Sequence, residues 1–316
     1  MKLVERWHNY WFGDGSYFDL ALLRIGAVGL QCYLLLSNGF SRLLNVNALP
    51  DEMYRPIPML QILMFPSGST ARPDPESMVI LFWFVLAFGF TSLLGILTNV
   101  SLALFAIGYI FIQAYIYSFG DMHHPEAIMA IALLAIAFSP CGKVLSFDAV
   151  IRNRLNPGTG APGLLYYKGP YAFWPIGFIR WFFPLMYLSA VVAKLSRSGL
   201  DWANGFTLQY ALIQDGYRHG SELAIWLSQF HEFIKVAEWF VLIFQATFFL
   251  ILFFPRLRWI YLPVGICFHL GIWFTMKAPF PQWLLFYAVY IPWSRVFRNL
   301  AAGRDPVSGR SVAATG

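Results

Sequence analysis

From Tyr17 onward, stretches of about twenty mainly apolar residues alternate with polar interruptions, and neither the period of two of a strand nor a charged helical face dominates any of them. Eight such segments fall near residues 17–38, 78–97, 100–119, 125–145, 174–196, 236–254, 259–276 and 279–297. Each approaches the ~20 residues that a helix needs to cross ~30 Å of hydrocarbon. In that medium a segment must satisfy its own backbone, so the pattern predicts an all-α, polytopic membrane helix bundle of about eight transmembrane helices. Residues 1–16 then form a cytoplasmic N-terminal segment, 17–297 the transmembrane domain and 298–316 a flexible cytoplasmic tail.

Three interruptions are long. Gly39–Ser77 carries Pro50, Pro56, Pro58, Pro66, Pro73 and Pro75 and reads as an ordered surface loop. Ser146–Phe173 is rich in Pro and Gly, and the division between the second and third segments is set at Asn99. Within Ser198–Lys235, Leu223, Ile225, Trp226, Phe230 and Phe233 alternate with polar residues, which predicts an interfacial amphipathic helix over Glu222–Phe233.

Composition makes lipid the solvent: 58% of residues are hydrophobic, 12% are charged and the mean hydropathy is +0.58. Aromatic belts and lipid-facing surfaces absorb most of the Trp, Tyr and Phe content. Cys32, Cys141 and Cys267 lack CxxC spacing, so a metal centre or redox pair is not expected. Met1–Ser16 has no apolar h-region, so no cleavable signal peptide is expected. P-loop, GxSxG, HExxH and dinucleotide motifs are missing, which leaves ATPase, serine hydrolase, metalloprotease and Rossmann readings without support.

The net charge of +6 follows topology rather than nucleic acid. With eight spans and an inside N-terminus, twelve basic residues lie inside: Lys2, Arg6, Lys143, Arg152, Arg154, Lys168, Arg256, Arg258, Arg295, Arg298, Arg304 and Arg310. Seven lie outside: Arg42, Arg55, Arg72, Arg197, Arg218, Lys235 and Lys277. Both termini are therefore expected in the cytoplasm, and a bacterial cytoplasmic membrane is the expected location.

Lys194 lies near the end of the apolar run Trp174–Leu195 and opens the phrase Lys194–Trp202. An ammonium at bilayer depth costs roughly 3 kcal/mol, so it either snorkels to the interface or is retained for chemistry. His123 and His124 precede Pro125 and Glu126, which is also a helix start. His269 falls inside the seventh segment, as a catalytic or hydrogen-bonded structural imidazole. Glu238 is capped or solvated near a span end, and Arg24 and Arg180 answer internal carboxylates such as Asp19. The topology places His123, His124, Lys194, Arg197, Asp201, Trp202 and Lys277 on the outer side, with Arg197, Asp201, Trp202 and Glu238 as substrate-side or structural groups.

Four passages carry a family resemblance: Leu22–Gly26; His123-His124-Pro125-Glu126 running to Phe138-Ser139-Pro140-Cys141-Gly142 and Leu145-Ser146-Phe147-Asp148; Ala193-Lys194-Leu195 with Asp201-Trp202 and Gly205; and Phe268-His269-Leu270 after Pro255-Arg256-Leu257-Arg258. In order and spacing they span about Tyr17–Ile291, and the chain resembles the horizontally transferred transmembrane domain family, which includes the membrane portion of vitamin K-dependent γ-glutamyl carboxylase. The resemblance implies that Lys194 is the base that deprotonates a vitamin K-like reduced quinone, with His123, His124 and His269 as site histidines. Trp181, Tyr187 and Trp273 supply aromatic lining for a lipid-accessible quinone slot. The chain has no counterpart of the carboxylase's large lumenal domain after Ser294, has Ala193-Lys194 where the carboxylase has two lysines, and continues past His269 with Met276-Lys277-Ala278-Pro279-Phe280.

Three readings follow. The first is a quinol-dependent, carboxylase-like lyase or oxidoreductase that modifies a secreted peptide or small substrate. The second is a b-haem electron-transfer protein with His123 or His124 and His269 as axial ligands. The third is a non-catalytic membrane scaffold for secreted-peptide maturation or lipid binding. Nucleic acid is not an expected partner, and oligomeric state is not encoded in any motif.

Overall fold

The computed structural model describes residues 2–64, 70–121, 124–156 and 163–302. The order of helices is α1 (Lys2–Phe12), α2 (Tyr17–Leu34), α3 (Phe40–Asn47), α4 (Pro58–Met64), α5 (Pro75–Leu94), α6 (Thr98–Tyr117), α7 (His124–Ala137) and α8 (Phe147–Leu155). It continues with α9 (Trp174–Ser198), α10 (Phe206–His219), α11 (Glu222–Leu227), α12 (His231–Thr247), α13 (Arg258–Met276), α14 (Pro281–Ala288) and α15 (Trp293–Ala302). Two dipeptides, β1 (Gly15–Ser16) and β2 (Lys168–Gly169), pair antiparallel and are the described strands. The protein is an all-α polytopic membrane protein.

Six helical stretches among the described residues are long and apolar enough to cross a bilayer: Tyr17–Asn47, Pro75–Leu94, Thr98–Tyr117, Trp174–Ala203, His231–Leu252 and Pro255–Met276. The fourth and eighth apolar segments are shorter helices than expected. The fourth stops at Ala137, ahead of Ser139-Pro140 and Gly142, and the eighth is divided between α14 and α15 around Pro292. Proline removes a backbone donor and glycine a conformational restraint, so apolar sequence continues there while the helix does not. Of the expected tail at 298–316, residues 298–302 are the end of α15, and residues from 303 lie outside the described set.

Two compact units make up the fold: Met1–Ile176 with Ile291–Gly316, and Gly177–Tyr290. In the first unit, α2 passes through a π-helical turn, Leu35–Gly39, straight into α3, so the surface loop expected from Gly39 begins only after Asn47. Asp74 caps α5, accepting the Ser77 N–H at 2.8 Å, with Pro75 at the first helical position. The α5–α6 break falls at Gly95–Leu97 and not at Asn99, because Gly95 takes φ +75° and closes α5. Asn99 lies within α6 and donates its side-chain amide to the carbonyls of Ala137 (2.7 Å) and Ser139 (2.5 Å), satisfying the end of α7. Arg24, fully buried, donates to the Leu145 carbonyl at 2.5 Å. The expected carboxylate is thus replaced by a carbonyl freed where Leu145 takes φ +51°. Asp19 accepts from the Ser294 N–H (2.6 Å) and hydroxyl (3.2 Å), joining α2 to α15.

Asp148 caps α6 from a distance in sequence, accepting from the Leu97 N–H (3.0 Å), the Thr98 N–H (2.7 Å) and the Thr98 hydroxyl (2.7 Å). Burial pushes its carboxyl up, but these donors and the Arg24 guanidinium outweigh burial and hold it below the usual carboxylate range. A carboxyl lowered by folding stabilises fully above its unfolded value of ~3.9, and the stabilisation disappears as pH falls through the lowered folded value. Asp148→Asn is expected to lower stability by about 1 kcal/mol at pH 7 and to lose less than wild type on going to about pH 3, read from thermal unfolding in detergent. Parallel acid losses in the two proteins would remove Asp148 from the pH response.

The second unit packs α9, α12, α13 and α14 with the hairpin α10–α11. Between α10, α11 and α12, Leu212, Ala224 and Ile234 form an apolar core, with Leu208, Leu227 and Met276 against it. The amphipathic helix expected over Glu222–Phe233 is two elements: α11 ends at Leu227 and α12 begins at His231. Ser221 and Ser228 punctuate it, Ser221 accepting the Ala224 N–H and Ser228 closing α11.

Candidate functional site

Within the second unit, one face of α9 presents Tyr187, Val191 and Lys194, spaced i, i+4 and i+7, so they form one stripe about 10 Å long. At its C-terminal end the Lys194 ammonium donates to Gln245 Oε1 on α12 at 3.0 Å and lies 5.1 Å from the centre of the Trp202 ring. Among the described residues no carboxylate lies within ion-pair distance of Lys194. Its partners are an amide oxygen and an aromatic face. The side chain is half-buried and turned into the unit, unlike a snorkelling lysine.

Below Lys194, Val191, Ala203 and Leu242 form an apolar layer with Trp202 and Ala246 against it. Beyond that layer the Tyr187 hydroxyl meets both His269 Nε2, at 2.7 Å, and the Tyr287 hydroxyl, at 2.5 Å. All three side chains are buried, and His269 Nδ1 is buried without a hydrogen-bond partner. Tyr187 has one proton to give. If it goes to Nε2, Nδ1 carries the imidazole proton as an unpaired donor; if it goes to Tyr287, His269 donates from Nε2 and Nδ1 is an unpaired acceptor. Either arrangement leaves one imidazole nitrogen unused in an apolar surrounding, where an unmade hydrogen bond costs about 1–3 kcal/mol.

Aromatic rings enclose this pair of phenols and imidazole. Trp283 lies 5.0 Å from His269, stacked at 30°, and 4.9 Å from Tyr187; Phe183, Phe244 and Phe248 close the other sides of Tyr187. Gly265 on α13 makes room for Tyr287, because a β-carbon there would overlap the Tyr287 hydroxyl. Of the three expected lining aromatics, Tyr187 is central, Trp181 packs on Phe253 at 6.0 Å, and Trp273 is 48% exposed beside Phe274.

Glu238 is capped rather than solvated. It is fully buried on α12 and accepts the N–H groups of Gly205 and Leu208, both at 2.5 Å, so that its carboxyl closes the N-terminus of α10. Arg197 and Asp201 are exposed, whereas Trp202 lies under Lys194. His123 lies outside the described residues, and His124 is described only as the first residue of α7. Both belong to the first unit, whereas Lys194 and His269 belong to the second. At positions that flank the two histidines in sequence, Asp121 (3.0 Å) and Glu126 (2.6 Å) are bridged by Arg42.

Gln245, Trp283 and Tyr287 join the site without having been singled out in the sequence. Gln245 carried a usable signal, as an isolated amide inside the apolar run of the sixth segment. Tyr287 and Trp283 carried none, since aromatics are ordinary in an apolar segment. Among the described residues no group of three or more His, Cys, Asp or Glu side chains is arranged to hold a metal ion. Comparison with protein-family models, with characterised proteins and with solved structures gives no match.

Proposed function

We propose that this multi-pass membrane protein is a quinol-dependent enzyme of carboxylase-like type whose base is Lys194, acting on a peptide or small substrate at the extracytoplasmic face of a bacterial cytoplasmic membrane. The observation that carries the reading is the neutral setting of Lys194: Gln245 Oε1 and the Trp202 face hold its amine with no carboxylate beside it. A base needs a nitrogen that no carboxylate holds in an ion pair, and an amine set between an amide oxygen and a ring face meets that requirement.

The chain's residues fit a reduced quinone in a second respect. A phenol can donate to His269 Nδ1 and a quinone carbonyl can accept from it, so the unused nitrogen suits both oxidation states of such a headgroup. A reduced quinone would supply a phenolic proton and an electron pair. Lys194 Nζ takes up a proton, Gln245 orients the amine and Trp202 steadies the resulting ammonium by about 1 kcal/mol. Tyr187 and Tyr287 fix the His269 ring through their hydroxyls, and Phe183, Phe244 and Phe248 keep water from it. The inside placement of both termini is part of the proposal and is supported by the Lys/Arg bias.

Mass spectrometry of lipids extracted from the detergent-purified protein, with a visible spectrum, tests the reading. Wild type is expected to retain a quinone, and Lys194→Ala to retain about tenfold less, as loss of ~1.4 kcal/mol of binding implies. Wild-type protein free of quinone in native membranes that contain it would overturn the proposal, and a Soret band would replace it with the haem reading.

A further inference from the structure

The α10–α11 hairpin has three faces where an ordinary surface helix has two. At about 100° per residue, Leu208 and Gly216 lie about 40° to either side of Leu212, and this flank faces the apolar core. Phe206, Tyr210, Ile213 and Tyr217 lie about 100–160° round from Leu212, and they are 64%, 66%, 38% and 76% exposed. Thr207, Gln214 and Arg218, all exposed, occupy about 200–240°. One flank of α10 therefore meets protein, a second presents bare aromatic and aliphatic surface, and a third is polar.

The hairpin is also short-tethered. Gly205 lies two residues past the end of the Trp174–Ala203 span, and α11 is followed after three residues by the His231–Leu252 span. Both ends are thus held at one membrane surface. The exposed apolar residues continue along the chain from Tyr217 through Leu223, Trp226 and Phe230 to Phe233, Val236, Phe240 and Ile243 of α12, a stripe at i, i+3, i+7 and i+10 on a span. Tyr and Trp, which carry a polar edge on an apolar ring, punctuate the hairpin part, as at a headgroup boundary.

We propose that the exposed flank of α10, with Leu223, Trp226 and Phe230, is an interfacial surface that lies in the headgroup and acyl boundary of the bilayer, its occupant being phospholipid. The hairpin is a float that continues the lipid-facing side of α12, with Gln214 and Arg218 toward water. This inference does not depend on the chemistry assigned to Lys194.

Nitroxide labels read the three-faced geometry directly. The full chain carrying Cys267→Ser is used, since Cys32 and Cys141 are buried and Cys267 is the exposed cysteine. Single cysteines replace Tyr210, Ile213, Gln214 or Arg218, all off the packed face, and the protein is reconstituted in phosphatidylcholine–phosphatidylglycerol bilayers. Oxygen, which concentrates in hydrocarbon, is expected to collide with labels at 210 and 213 about threefold more often relative to a nickel chelate than at 214 and 218. Equal chelate access at 213 and 214 would place the flank in water and overturn the proposal. Exclusion of both reagents at 210 and 213 would overturn it too, assigning the surface to a second copy of the chain or a peptide.

Discussion

Glu238→Ala is expected to lower the unfolding free energy by about 3–5 kcal/mol, among the largest losses from a single substitution in this chain. The carboxyl is the acceptor for two N–H groups at the start of α10, and no water reaches it to take over. Gly205, which enters α10 at φ +98°, has no side chain with which to cap the helix itself. Alanine would leave two buried donors unmade and remove buried side-chain volume. Glu238→Gln keeps one carbonyl oxygen but turns an amide N–H toward the second donor, so an intermediate loss is expected. Thermal unfolding in detergent, followed by near-ultraviolet circular dichroism, orders the three proteins. Equal stability of wild type and Glu238→Ala would show that α10 needs no external cap. Under the proposed function, retained quinone is expected to fall here only together with the fold, whereas in Lys194→Ala it is expected to fall with the fold kept.

Tyr187→Phe is expected to destabilise by about 2–4 kcal/mol, well beyond Tyr287→Phe at about 1 kcal/mol. The two phenols are unequal because Tyr187 is the middle of the chain. Its removal leaves Nε2 of His269 and the Tyr287 hydroxyl both unpaired, and Nδ1 is already unpaired. Removing Tyr287 breaks one bond and leaves the Tyr187–His269 pair intact. The same order is expected in retained quinone, and a Tyr287→Phe loss equal to that of Tyr187→Phe in both measurements would refute the central placement of Tyr187.

The apolar segments carried most of the architecture because length and the need to satisfy backbone groups leave helices as the answer. They misjudged where helices stop: the fourth segment stays apolar past Ala137, but Pro140 and Gly142 end its helix. Helix α10 escaped notice for a different reason. Its buried, bare and polar flanks divide its residues three ways, and a search for one apolar stripe against one polar stripe finds neither. At the site, Lys194 and His269 were legible because an ammonium and an imidazole are expensive in lipid, whereas Tyr187 was named only as an aromatic lining a quinone slot. Tyr287 was hidden by the opposite circumstance, since a tyrosine among apolar residues is cheap until its hydroxyl is buried. Glu238 was visible as a charge, but its role depends on Gly205 and Leu208, about thirty positions earlier, and no local pattern connects them.

The π-helical turn at Leu35–Gly39 has a consequence for how this chain tolerates change in length. A π turn is an α-helix holding one residue too many, and that residue rotates everything after it by about 100°. Arg42, three residues beyond, reaches Asp121 and Glu126 from the rotated position. A deletion of one residue anywhere in the turn would leave a regular, equally apolar helix of almost the same length and would point Arg42 elsewhere, breaking its ion pairs with Asp121 and Glu126. Sequences that descend from this one can therefore substitute the exposed Leu36, Ser37 and Asn38 more easily than they can shorten the turn: the count of residues there, rather than the identity of those three, is what the ion pairs inherit.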